Sequence, residues 1–542
     1  MSVIKFYKKF ISCRKIINLN KAIFEKEKVK KNNQVLIEFN NFCADHVALS
    51  YCANILKKKH NANIVAYPGH LLLSYPLKLT LFRKIKFNLG KFLGLNFFGV
   101  YKSFGTEKFF YPTSNNQIIE NTNKSFKYFN KKVKNLVDLE NFKLKKILIG
   151  DLLYDTFLKK QYLIKPTINL KSEKFLNFVY DFLTLFEIWH DYLKNKKVKA
   201  IISSHPVYVM GMILRIGKMN NIENYVLTYE QLWKTNNKQP RLYYEVNNFN
   251  KIFKNLSNQN KSKLIKISKK KIKKRLSGYY SADYGWITKS PFGYGNKINI
   301  KKANKNIFVI ATHDFVDSPH ALGNALFPDF YQWLIFLCKL SKQTNDIWLV
   351  KNHPNFGNEY SPYMKYERDV TNNAVKKYNN IKVLDKNTTL NDLVKIKVDA
   401  IFTVSGTIGV DGALLNIPVI NASKNNPHIN YNFNIHPKNI KQLKDIILNF
   451  KKYKNKLKID RNEIYEFYGM RNVFFSKNWF FNDLTKTSKE IGGFHNFHKS
   501  TFYDYWIKNF NKFNEKKIKT DLEKYFYSKN IFLLNNKNLG NY

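Results

Sequence analysis

The sequence predicts an α/β protein built from two Rossmann-like lobes and a helical C-terminal tail. Three observations lead there. The chain has 542 residues, more than one hydrophobic core usually serves, so two domains are expected. Strand-like and helix-like segments alternate between Asn304 and Phe450, the pattern of a parallel sheet wrapped on both faces. The same alternation recurs, less regularly, between Val35 and Thr228.

In the second half, strands are expected at Asn306–Ala311, Asp346–Lys351, Ile381–Leu384, Asp399–Val404 and Pro418–Asn421. Each is a short apolar or β-branched run. Between them lie helical patterns at Pro328–Gln343, Pro362–Tyr378, Leu390–Lys397, Thr407–Leu415 and Pro437–Phe450, three of them opening on proline. In the first half, Val35–Phe39, Ile64–Tyr67, Lys199–Ser203 and Asn224–Thr228 read as strands, and Asp45–Lys58 and Val207–Asn220 as helices. A long insertion separates them and carries a helix at Ser172–Asn195. A Lys-rich stretch (Asn250–Arg275) and a Gly-, Tyr- and Ser-rich one (Gly278–Gly295) divide the halves. The expected domains are therefore 1–290, 300–485 and a helical tail at 486–542.

Composition bounds the function. Hydrophobic residues make up 44% and aromatics 16%, which excludes a disordered chain. The net charge is +53, with 92 Lys+Arg against 39 Asp+Glu. Such an excess normally points to nucleic acid, an acidic membrane or an acidic substrate. Lys is spread along the whole chain, however, and Lys, Asn, Ile, Phe and Tyr are abundant together, the drift of an AT-rich genome. An anionic membrane surface or anionic sugar is expected ahead of nucleic acid. Leu71–Val100 mixes Leu and Phe with Lys78, Arg83, Lys84, Lys86 and Lys91, as a helix on an anionic bilayer does. A core helix with a Lys-rich outer face is the competing reading. Cys13, Cys43, Cys52 and Cys338 form no zinc or disulfide pattern, so reduced thiols in a cytosolic protein are expected. No apolar run reaches the ~18 residues of a membrane span, and no signal peptide is visible.

Ligands of open parallel sheets bind beyond the carboxyl ends of the strands. In the second half those ends are dense in polar groups. The first delivers His313, Asp314, Asp317 and His320. Their spacing matches no familiar metal motif, and substrate contact or acid/base chemistry is expected instead. The second delivers Lys351-Asn352-His353-Pro354, where proline holds the histidine extended and facing the loop. The fourth delivers Ser405-Gly406-Thr407-Ile408-Gly409-Val410-Asp411: glycines for backbone approach, hydroxyls as donors, and a helix start that favours phosphate. Asp411 is placed to accept from ribose or sugar hydroxyls. The last delivers Asn421 and His428. A His-Pro turn and a hydroxyl–glycine turn about fifty residues apart on one sheet make a pocket for a nucleotide mono- or diphosphate.

These stretches resemble the nucleotide-sugar lobe of bacterial capsule polysaccharide biosynthesis proteins, a GT-B group that includes Kdo transferases. The resemblance rests on His313–His320, Phe327–Tyr331, Lys351–Asn355, Ser405–Gly409 and Ile417–Pro437, and in the first half on Ile149–Asp155 and Ser203–Tyr208. It covers residues 145–440 or so; Asp411 departs from it, since glutamate is expected there. It implies two lobes about a central cleft, with the nucleotide sugar held by the second lobe and a polysaccharide or lipid-linked glycan acceptor by the first. His353 and Ser405–Thr407 would neutralise the leaving phosphate in place of a metal. A strict Asp-x-Asp is absent, in keeping with metal independence, and no cofactor is expected. For the general base, Asp151, Asp155, Asp314 and Asp317 are candidates, with His205 and Glu230 on the acceptor side. The competing reading for Asp151 and Asp155 is a helix N-terminus, where acidic residues are favourable in any case. The implied function is a cytoplasmic glycosyltransferase of surface polysaccharide, peripheral to the membrane if Leu71–Val100 binds lipid. A teichoic-acid-type glycerophosphotransferase, a nucleotide-sugar 2-epimerase and a non-enzymatic binder of anionic polymer remain as alternatives. Walker A, GxSxG and RNA-recognition motifs are absent.

Overall fold

The computed structural model describes residues 3–24, 32–74, 81–94, 96–161, 166–235, 248–278, 290–293, 295, 298, 300, 302, 304–323, 325–353, 362–385, 387–475, 479–481, 484–510 and 515–533. They form two compact units. The first comprises Met1–Thr156, Leu170–Pro240 and Lys477–Asn535, and the second Phe157–Asn169, Arg241–Ser476 and Asn536–Tyr542. Each is a Rossmann-like sheet wrapped by helices, so the α/β class with two such lobes and a helical C-terminal region is what the chain adopts.

The first unit holds strands β1 (Gln34–Glu38), β2 (Asn63–Tyr67), β3 (Thr106–Phe109), β6 (Val198–Ser203), β7 (Glu223–Leu227) and β8 (Leu232–Lys234), in the order β3-β2-β1-β6-β7-β8. All pairs are parallel except β7 with β8. A separate hairpin, β4 (Lys143–Leu144) with β5 (Ile147–Leu148), lies in the insertion. Central parallel strands are covered on both faces, so Val35–Ile37 of β1 and Ala200–Ile202 of β6 are continuous apolar runs, each followed by a polar residue, Glu38 and Ser203. The helix Glu173–Asn195 starts where the Ser172 hydroxyl accepts from Phe175 N–H.

The C-terminal helices return to this first sheet. Phe497, Phe502, Tyr503, Trp506, Leu522, Tyr525 and Phe526 share one core with Val35, Ile37 and Ala200. Tyr503 Oη lies 2.6 Å from Nδ1 of buried His46, and the 531–533 segment pairs with the β8 edge through Lys234 N–H to Ile531 O and Leu533 N–H to Leu232 O.

The second unit holds β9 (Ile307–Ala311), β10 (Ile347–Lys351), β11 (Ile381–Val383), β12 (Ala400–Thr403) and β13 (Val419–Asn421), parallel throughout, in the order β11-β10-β9-β12-β13. Trp348 fills its centre, with ring centroids 5.0 Å from Phe308 and 5.5 Å from Phe402. Helix starts are capped by Asp329, Thr389 and Asn439. The strongly basic helix Asn258–Leu276 belongs to this unit, seating Leu264 and Ser268 against Gly469. The Gly-, Tyr- and Ser-rich junction stretch lies largely outside the described residues.

Candidate functional site

Both sheets reverse direction at their first strand. In the first sheet the switch falls between β1 and β6, in the second between β9 and β12. A crevice for ligands opens at such a point, beyond the carboxyl ends of the two strands.

In the second unit, His313 occupies that point. Val404 N–H donates to its Nε2 at 3.1 Å, and the Thr403 hydroxyl lies 3.0 Å from the same nitrogen. With Nε2 accepting, the proton of the neutral ring sits on Nδ1. Phe330 stacks on the imidazole at 4.4 Å, and burial pushes its pKa down to about 3, so it is neutral at physiological pH. Gly406 completes the turn by donating its N–H to Thr403 Oγ1 at 3.3 Å; a side chain there would meet that oxygen at 3.0 Å. His353 joins from the end of β10, donating its backbone N–H to Thr312 Oγ1 at 3.0 Å. Its imidazole too is lowered, by burial, against the opposing pull of Asp314 and Asp317. Pro354 and Asn355 of the His-Pro turn lie outside the described residues.

A second polar group lies beside the helix Ile408–Leu414. Gly409 lets this helix approach His428 and Asn434, whose Nε2 and Nδ2 would each be 3.0 Å from an added Cβ. Asn421 Oδ1 is 3.2 Å from His428 Nε2. Burial drives the His428 pKa far down and takes His436 to about 4. Asn421 Nδ2 and both amide atoms of Asn434 are buried without a hydrogen-bond partner. Buried polar atoms are seldom left so, which makes this cluster a candidate place for a ligand or an ordered water.

The remaining candidates have distinct surroundings. Asp411 accepts from Arg275 Nε at 2.9 Å and Nη2 at 2.8 Å in a buried bidentate pair, so both carboxylate oxygens already hold a guanidinium. Ser405 and Thr407 are half-buried in the turn. Asp314 caps its own loop by accepting from Val316 N–H, and Asp317 is exposed, 3.6 Å from Lys159. His320 is buried in the turn that leads to Gly323. In the first unit, Asp151 forms a buried bidentate pair with Arg215, at 2.6 and 2.7 Å, and Asp155 is buried one turn further on. His205 turns its Nδ1 onto the Ser204 carbonyl, and Glu230 follows the tight turn at Thr228.

Sequence reasoning missed an ionisable cluster at the switch point of the first sheet. Glu38 ends β1 fully buried. It accepts from the Ser203 hydroxyl at 2.9 Å and Ser204 N–H at 2.6 Å, and His70 Nε2 approaches its other oxygen at 2.9 Å. Burial works against its charge, yet His70, the Ser204 N–H and His205 hold the carboxyl at about 2. His70 is pulled down by burial and up by Glu38, and Glu38 prevails. Asp45, on the first turn of the helix Cys43–His60, accepts from Tyr229 N–H at 2.8 Å; burial pushes it up to about 8, so it is protonated at neutral pH. The sequence carries only a carboxylate closing an apolar strand and Pro-Gly-His after β2, and the fold alone brings the two together. Gly69 is required there, since a Cβ would meet Glu38 Cδ at 2.6 Å.

Among the described residues, no group of three or more His, Cys, Asp or Glu is arranged to hold a metal ion.

No family model matches the chain, and no curated protein matches it. Solved structures are similar at low identity. One is UDP-GlcNAc 2-epimerase from Neisseria meningitidis bound to UDP-GlcNAc (9% identity, TM-score 0.24, covering 81% of this chain and 97% of that one). Another is the beta Kdo 2,4 transferase KpsC of Thermosulfurimonas dismutans (13%, 0.29, 50% and 79%). A third is a glycosyltransferase from Rickettsia africae (12%, 0.24, 85% and 98%). Likeness at this level does not decide a reaction.

Proposed function

We propose that the chain is a nucleotide-sugar-dependent glycosyltransferase that builds a cell-surface polysaccharide, with its donor held by the second unit. The observation that carries this reading is the switch point of the second sheet. There His313, Thr403 and Gly406 form one hydrogen-bonded turn beside His353, and Asn421 Nδ2 and the side-chain amide of Asn434, buried without a hydrogen-bond partner, lie beside the neighbouring helix Ile408–Leu414. Neutral imidazoles and backbone groups suit a diphosphate, because they donate hydrogen bonds to it without burying a fixed positive charge. Asp411 contributes through Arg275, fixing the helix Ile408–Leu414 behind the turn. The acceptor is a glycan hydroxyl.

The test is thermal stabilisation of the protein, without added metal, by CMP, CDP, UDP, GDP and their sugars. One nucleotide is expected to raise the melting temperature of the wild type and not that of His353→Ala. Stabilisation by none of them removes the donor pocket.

Association with an anionic bilayer belongs to the same reading. No described helix is long and apolar enough to cross a membrane. The helix Leu81–Leu93 packs inward through Phe87, 5.1 Å from both Phe98 and Tyr111. On other faces it exposes Ile85, Leu89, Phe92 (81% exposed) and Leu93, at the spacing of one apolar stripe. No acidic residue occurs between Leu71 and Val100, against five basic ones, which fits anionic lipid in particular. The protein should float with phosphatidylglycerol vesicles at low salt, and Phe92→Asp should sink it; equal flotation of both would remove the stripe from the account.

A further inference from the structure

Two buried polar groups without a hydrogen-bond partner and one buried ion pair lie at the carboxyl ends of strands of the first sheet. Ser204 Oγ and Tyr229 Oη are buried, with no hydrogen-bond partner. Glu38 Oε1 and His70 Nε2 touch as an ion pair at 2.9 Å, without the alignment of a hydrogen bond. They come from the ends of β1, β2, β6 and β7, the strands that flank the switch point. Folded proteins leave few buried polar atoms unsatisfied, so a concentration of them at one ligand-binding edge marks a site.

The site has an inside and an outside. Glu38 is 1% exposed and fixed by Ser203 and Ser204. His70 covers it and keeps 28% of its own side chain open to solvent. A buried carboxylate behind a partly exposed imidazole orients the ring through one nitrogen and stabilises the cation formed when the other takes a proton. Tyr229 is packed face to face on Phe497 at 4.6 Å.

We propose that this cluster is the acceptor-side proton-transfer site, with His70 as the general base for a sugar hydroxyl and Glu38 as its positioning residue. The inference rests on the transferase reading and names the base that reading requires. In the step, the acceptor O–H bond breaks and its proton passes to His70 Nδ1. The acceptor oxygen bonds to the anomeric carbon of the donor sugar as the bond from that carbon to the nucleotide phosphate breaks. The electron pair leaves on the phosphate oxygen. Ser204 Oγ and Tyr229 Oη supply hydrogen bonds to neighbouring hydroxyls of the same sugar. The charged and titratable groups around His70 are Glu38 on β1, Asp45 on the helix after it, His205 after β6, Glu230 after β7, and His498 near Phe42. Asp45 is held neutral, which leaves the field at His70 set chiefly by Glu38.

Two measurements on the full chain test this. The first is the rate at which diethyl pyrocarbonate modifies His70, followed by mass spectrometry against pH. The midpoint should lie above that of an ordinary histidine in the wild type and fall in Glu38→Gln. An unreactive His70, or one midpoint for both proteins, overturns the proposal. The second is nucleotide release from the nucleotide sugar that stabilises the protein, with water as acceptor. At a temperature where both proteins are folded, His70→Ala should be slowed at least about 100-fold with nucleotide binding unchanged, and free imidazole should restore part of the rate. His70→Gln serves if the alanine variant folds poorly. Wild-type turnover in these variants, or no rescue, overturns the proposal. If the wild type neither binds nor consumes any nucleotide sugar, the transferase reading fails by itself, and the modification profile still decides whether His70 is the activated base.

Discussion

At the switch point of the first sheet, a buried carboxylate is ionised, a histidine beside it is raised, and a second carboxyl is held neutral. At the switch point of the second, the histidines are pushed toward the neutral form, and the one buried carboxylate of the following helix, Asp411, is tied to an arginine. The strand order about the first strand is the same in both. The difference lies in what closes the strands. β1 ends in Glu38 beneath a His-bearing turn, whereas β9 and β12 end in alanine and threonine beneath His313. One arrangement is fit to move protons under the reading proposed above, and the other to donate hydrogen bonds at fixed charge. A shared fold therefore says where ligands go, and the strand-end residues say what happens to them.

The comparison can be broken most sharply by exchanging the losses. His70→Ala should abolish nearly all turnover while leaving nucleotide binding intact, and imidazole rescue reads this out. Next in size are the two buried bidentate pairs. Arg215→Ala strands Asp151 in the first unit and Arg275→Ala strands Asp411 in the second. Each should cost about 3–5 kcal/mol, because a buried charge loses its partner. Denaturant unfolding followed by unit-specific proteolysis should place each loss in its own unit.

The smaller effect is on pH. The Asp45 pKa is raised in the folded protein, so its contribution is complete below the unfolded value near 4 and is lost as pH rises through about 8. His313 and His436 are lowered, so their contribution is complete above about 6.5 and is lost as pH falls toward 3 to 4. Asp45→Asn should therefore raise the melting temperature above pH 8 and leave it nearly unchanged near pH 4. A gain on the acid side instead would contradict the neutral carboxyl.

Much of this architecture was legible in the sequence. The five strands of the second unit stand where apolar runs placed them, within a residue or two, because parallel strands buried on both faces leave continuous runs. The edge strands β3 (TEKF) and β8 (LWK) were not legible, being short and half polar. The return of the C-terminal helices to the first sheet was not legible either. Their aromatic residues announce a buried face but not what covers it. At the site, His313 and His353 could be found because histidine after a strand is conspicuous. Glu38 could not, because the last residue of an apolar strand reads as its boundary, and only the folded chain brings His70 onto it. Asp151 and Asp411 show the converse, since their arginine partners lie 64 and 136 residues away.

The division of labour between the two switch points is tested most directly by titrating the protein with the nucleotide panel, without metal, in wild type, His353→Ala and His70→Ala. The account predicts that one nucleotide stabilises the wild type and His70→Ala equally and fails to stabilise His353→Ala. Stabilisation of none, or an equal loss in both variants, would contradict it.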